Sequence, residues 1–260
     1  MRKYVATFLM GIKDAKVYQA DFYLSFISVP VELIVIFLFW SGILSGSSSE
    51  FCTEDIVAYF LFMQVLQLGY SPTMYVTYEL FQEINNGTII TWIMRPITYP
   101  IYVLAQKFSQ FLLNTSVALL VSLAISSFLG YRISLICLLL GVLAIVGGNL
   151  LLFELQFLIG ALTFWLKNVI TLRDVVMNIL FVIGGTMIPI DMTPLLLQKI
   201  TVYTPISFIY FLPAKILSNQ YEIELIFKSI ILQFFWVIIL GIVIMIVWQE
   251  GIRDKVTQGS

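Results

Sequence analysis

A chain of 260 residues that is 60% hydrophobic and 11% charged, with a mean hydropathy of +0.98, is not an ordinary soluble domain. A formal net charge of −1, with no long basic stretch, excludes nucleic acid as a partner. The absence of histidine removes Ser-His and Cys-His nucleophile pairs, His-zinc sites and the H-E-x-x-H motif, so neither catalytic residues nor a metal site are assigned.

Residues 1–20 lack the continuous apolar core and small-residue cleavage site of a signal peptide. Val5, Phe8, Leu9, Ile12 and Ala15 recur at helical spacing among Lys3, Lys13, Asp14 and Lys16. This predicts a helix in the inner membrane interface with its lysines reaching for headgroups; a disordered basic lead-in is the alternative.

A membrane crossing takes about 20 mostly apolar residues. Six segments are predicted to cross: 22–44, 56–78, 101–129, 134–166, 175–190 and 225–248. The first holds Glu32, two residues after Pro30. Ser45 to Asp55 is Gly/Ser-rich and acidic, as expected of a short exposed connection. On the second segment Gln64, Gln67 and Ser71 share a face, which either lines a cavity or bonds a neighbouring helix.

Residues 79–100 form a cytoplasmic loop too polar to span and too patterned for a slack linker. Glu79 and Glu83 are four apart on one helix face, with Leu80, Phe81 and Ile84 apolar. Asn85, Asn86 and Gly87 form a helix stop with glycine at C′, Thr88 can cap the next turn, and Ile89 to Met94 make an apolar ridge. Pro96 then biases Arg95 away from helix, and Pro100 suits the first turn of the next crossing.

The fourth segment carries Glu154, with Asn149 and Gln156 near it. A carboxylate in hydrocarbon is costly unless paired, protonated or facing water. Glu32 and Glu154 are therefore predicted to face the protein interior, either lining a path together with Gln64, Gln67 and Gln156 or making structural pairings. Ala144, Gly147 and Gly148 predict close helix packing. The fifth segment is short and runs into Pro189, Asp191 and Pro194. Residues 191–219, broken by Pro205 and Pro213, are predicted to form short re-entrant or surface helices on the outside. Trp40, Trp92, Trp165 and Trp248 are expected as interface anchors. Cys52 and Cys137 both fall toward the outer face, where a disulfide is conceivable.

Orientation follows the basic residues. With the N-terminus inside, cytoplasmic segments carry Arg2, Lys3, Lys13, Lys16, Arg95, Lys107, Lys167, Arg173, Arg253 and Lys255, and outer ones only Arg132, Lys199, Lys215 and Lys228. Both termini are then cytoplasmic, as expected of a multi-pass plasma-membrane protein. The chain contains no G-x-x-x-x-G-K-[ST], so it does not bind nucleotide in the P-loop manner. Any energised work draws on another chain or an ion gradient.

Glu83, Gly87-Thr88, the apolar run Ile89 to Met94, Arg95-Pro96 and then Lys107 together resemble the permease subunits of ABC-2-type ABC transporters. Gly184-Gly185, Pro189, Tyr203, Pro205, Phe211 and Pro213 are similar to the same family's fifth span and the re-entrant outer segment after it. The resemblance is strongest to a six-span group of about 260 residues, often encoded as paired permeases beside a separate ATPase. It implies an all-α integral membrane protein whose 79–98 loop is a coupling helix, with Glu79, Glu83, Gly87, Thr88, Arg95 and Pro96 as coupling residues. It further implies two copies of an ABC ATPase that bind ATP and Mg, and a second permease, identical or different, with the heterodimer preferred. No cofactor is implied in this chain itself. The resulting expectation is half the pathway of an ATP-driven exporter. The alternative is an ion-coupled carrier or a non-transporting assembly or sensory subunit, although no internal repeat of the carrier kind is visible.

Overall fold

In a chain this apolar, backbone polar groups must be satisfied within their own segment, and helices do so. The computed structural model describes residues 19–45, 52–93, 98–131 and 133–258, with residues 8 and 11 before them. Most of the interfacial helix expected over 1–20, much of the first outer loop, Arg95, Pro96 and Arg132 lie outside the described residues. Every regular element among the described residues is helical. The helices are α1 (Gln19–Ser45), α2 (Thr53–Tyr70), α3 (Val76–Asn85), α4 (Ile89–Ile93), α5 (Tyr99–Phe128), α6 (Leu135–Ala161), α7 (Val169–Ile183), α8 (Leu195–Thr201), α9 (Pro205–Ile209), α10 (Phe211–Leu217) and α11 (Ile223–Gln258).

A helix stands at each of the six expected positions. Among the described residues, Tyr99–Phe128, Leu135–Phe164 and Ile223–Lys255 combine the length and apolarity of a full crossing. The 30 residues of α5 reach about 45 Å, more than a hydrocarbon core of about 30 Å. In α1, Pro30–Ile43 is the apolar stretch among the residues whose side chains are described. Gln64, Gln67 and the acidic start at Glu54 and Asp55 lower the apolarity of α2.

Two expected boundaries are corrected. The segment expected to cross over 56–78 is not one helix, because α2 ends at Tyr70 and a 3-10 turn, Thr73–Tyr75, leads into α3. Pro72 has no N–H to give to the Leu68 carbonyl, and the Ser71 hydroxyl donates to that carbonyl instead at 2.8 Å. The fifth helix runs over Val169–Ile183 and not 175–190. It stops where Gly184 closes the last turn on the Leu180 carbonyl at 2.7 Å and Gly185 takes φ +88°.

Beyond α7 the prolines break the chain into α8, α9 and α10. Leu195, Leu196 and Ile200 of α8 are exposed, whereas Phe208, Ile209, Phe211, Leu212, Ile216 and Leu217 of α9 and α10 are buried against α2 and α6. The prolines thus turn the segment back into the bundle. The helix at its centre is α6, packed by α11, α3, α9 and α10. Its small residues permit this: a Cβ on Gly148 would come within 2.7 Å of the Ile209 carbonyl. Nearby, the Tyr70 hydroxyl of α2 donates to the Ile145 carbonyl at 3.0 Å.

Two of the expected interface tryptophans are core residues instead. Trp40 packs on Phe60, and Trp248, 6% exposed, stacks on Tyr99 at 5.2 Å. Cys52 is exposed and Cys137 buried, and both are free, so the conceivable disulfide is not formed.

Candidate functional site

The polar loop is built from its helix faces. Val76, Leu80 and Ile84 recur every fourth residue along α3, and all are buried. Together with Ile89 they meet Tyr99 and Val103 of α5, Phe153, Phe157 and Ala161 of α6, and Ile244 and Trp248 of α11. This cluster is separate from the main core and gathers one end of three long helices under the loop. That end is called the loop end below, and the opposite one the far end. Trp92 of α4 closes the cluster against Tyr102 at 4.3 Å and Tyr99 at 5.4 Å.

The turn between α3 and α4 is fixed by backbone geometry. The Asn86 N–H closes on the Gln82 carbonyl at 2.9 Å, and Gly87 follows with φ +72°. A Cβ at Gly87 would touch nothing within 4 Å, so only the left-handed backbone demands glycine. Thr88 does not cap the next turn with its side chain. Its hydroxyl reaches back to the Glu83 carbonyl at 3.2 Å, which ties the turn to α3.

Both loop carboxylates are directed at α5. Glu79 Oε1 lies 2.5 Å from Lys107 Nζ, and the Lys107 side chain is nearly buried while that of Glu79 is half exposed. The Glu83 carboxylate lies beside the Tyr99 hydroxyl. The side chains that α3 and α4 leave exposed beside Glu79 are Gln82, Asn85, Asn86, Thr88, Ile90 and Thr91. Sequence spacing places Glu79 and Glu83 on one face; which face is covered depends on where α5 packs, and spacing carries no such information. Arg95 and Pro96 lie outside the described residues.

A second polar cluster joins α3 to α7. Arg173 donates to the Asp174 carboxylate at 2.9 Å and to the Met74 carbonyl at 3.1 Å. Its guanidinium sits 4.9 Å over the Tyr78 ring. The sequence marks Arg173 only as an inside cation. The signal available was an arginine beside an aspartate at a helix start, which by itself does not name Tyr78 as partner.

The intramembrane polar residues divide by location. Gln64 donates to Glu32 Oε2 at 2.7 Å, which joins α1 to α2. Gln156 is fully buried; it accepts from the Thr77 hydroxyl and has Met177 Sδ 3.2 Å from its amide nitrogen. Asn149 accepts from Thr73 at 2.8 Å, so these two residues fasten α6 to the turn and to α3. Glu154 is buried and faces α11, where its Oε1 would stand 3.2 Å from a Cβ on Gly241. Gln67 is half-buried. Among the described residues, hydrogen bonds bring together only Glu32 and Gln64 of the five candidate path residues.

A family model described as an ABC-2 family transporter protein matches residues 26–259, which include the loop, its supporting cluster and every helix from α2 to α11. The chain belongs to the ABC-2 transporter family. No curated protein matches it. The family is a membrane transport component, and the long apolar helices agree with a permease embedded in the bilayer. Such a permease in general works with a partner ATPase.

Proposed function

We propose that this chain is the permease subunit of an ATP-driven exporter and forms half of its translocation pathway. Six spans cross the plasma membrane, with both termini and the 79–98 loop in the cytoplasm. Two copies of an ABC ATPase bind ATP and Mg and take hold of the loop, and a second permease, preferably a different chain, completes the pathway. The observation that carries this reading is the mounting of the loop. Its apolar face shares one cluster with the ends of α5, α6 and α11, so force on α3 and α4 reaches three long helices at once. A loop that merely joined two spans needs only a few residues.

The assigned coupling residues divide between two roles. Gly87, Thr88 and the Glu79 and Glu83 contacts to α5 hold the knob in shape, and the exposed uncharged surface around Asn85 and Ile90 meets the ATPase beside the half-exposed Glu79. Gly87→Pro replaces φ +72° by a ring fixed near −65°. Glu83→Lys puts a cation beside the Tyr99 hydroxyl in place of a carboxylate. Both variants are expected to insert into the membrane and to abolish stimulation of the partner's ATP hydrolysis. Unchanged stimulation in purified complexes of both would remove the basis for the coupling role.

A further inference from the structure

Apart from the Gln156 amide on Met177 Sδ at mid-helix, the polar contacts of α7 to its neighbours lie toward its two ends. Along the helix only Val169, Met177 and Leu180 are buried, while Val175, Ile179, Phe181 and Val182 are exposed. At the loop end, Arg173 grips the Met74 carbonyl and the face of Tyr78. At the far end, the Tyr59 hydroxyl of α2 donates to the Gly185 carbonyl at 2.6 Å. Just beyond, Asp191 is ion-paired with Lys215 of α10.

The grip at the loop end falls on a joint. Met74 lies in the 3-10 turn between α2 and α3, next to Pro72, where the main-chain ladder is interrupted. Arg173 is therefore fastened to the point about which α3 can swing relative to α2. Its side chain is only 16% exposed, and its Nε–H is buried without a hydrogen-bond partner among the described residues. The guanidinium thus keeps one donor spare, and a buried donor left unpaired favours re-pairing when its surroundings shift.

Resting on the coupling role proposed above, we infer that Arg173 is the positioning residue that carries movement of the loop along α7 to the far-end segment α8–α10. Arginine suits the task where lysine does not. A planar guanidinium donates to a carbonyl and a carboxylate while lying flat on an aromatic ring, whereas an ammonium is a point charge. The link acts by tying the joint to a helix whose other end is bonded at Gly185. It contacts neither ATP nor cargo.

The test follows hydrogen–deuterium exchange in the complex of this chain with its ATPase in lipid nanodiscs, with and without trapping by ATP and orthovanadate. In the wild type, trapping is expected to change exchange about fivefold or more, the low end of ordinary coupling, both in residues 82–88 and in residues 184–192. Arg173→Gln and Arg173→Lys are expected to keep the response at 82–88 and lose it at 184–192. Tyr78→Phe, which keeps the ring and gives up only the long hydroxyl contacts to Arg173 and Asp174, retains both responses, and Tyr78→Leu weakens the distant one. A full response at 184–192 in Arg173→Gln overturns the inference, as does a wild type that responds at 82–88 alone. A purely stabilising arginine predicts loss of both responses together, or rescue of both by lysine, and either result also overturns it. Loss of any response at 82–88 in the wild type would instead count against the coupling role on which the inference rests.

Discussion

At Gly87 the φ of +72° and the open space around the missing Cβ separate two effects. Gly87→Ala meets no clash, so its cost is the left-handed backbone alone, roughly 1–2 kcal/mol. A modest loss of thermal stability with ATPase binding retained is expected, measured by melting of the purified complex. The Glu79–Lys107 pair behaves differently, because Lys107 is the buried partner. Glu79→Gln leaves an ammonium poorly compensated and is expected to cost about 1–3 kcal/mol, less than a fully buried pair because Glu79 is half exposed. Adding Lys107→Met should recover most of that loss in the same melting experiment. A double variant no more stable than Glu79→Gln alone would show that the pair is not what holds α3 to α5. Gly87 was readable in the sequence because helix stops are local. The partners of Glu79, Glu83 and Arg173 were not, because they are set by which helix lies alongside.

The helices carry the same lesson one scale up. Their existence follows from apolar run length, most plainly in α5, α6 and α11. Their ends follow from single backbone groups, such as the missing N–H of Pro72 and the turn at Gly184 and Gly185, and hydropathy averages blur these. Trp248 shows the limit most clearly. Composition places a tryptophan near a span end at the interface, yet α11 continues as helix to Gln258 and the ring is enclosed by Tyr99, Phe157 and Phe164. Trp248→Ala removes the stacking partner of Tyr99 under the loop and is expected to cost about 3–5 kcal/mol. Exchange at residues 76–92 should rise before that of the main core. Equal loosening of both regions would mean that the aromatic cluster is not a separate unit.

On the scale of the whole molecule, α6 at the centre ties the loop-end cluster, the turn at Met74 and the buried α9–α10 into one body. The composition already announced a membrane protein, and the loop motif announced the family. The mounting of the loop on α5, α6 and α11 needed the fold, since its members are scattered from Val76 to Trp248. In the proposed exporter the exposed surface of this loop is where the ATPase takes hold. A photo-crosslinking residue placed at the exposed Asn85, in the complex with the partner ATPase, tests this most directly, with the exposed Leu120 of α5 as control. A crosslink to the ATPase is expected from position 85 and none from position 120. An assembled complex with no crosslink from position 85 would contradict the coupling role.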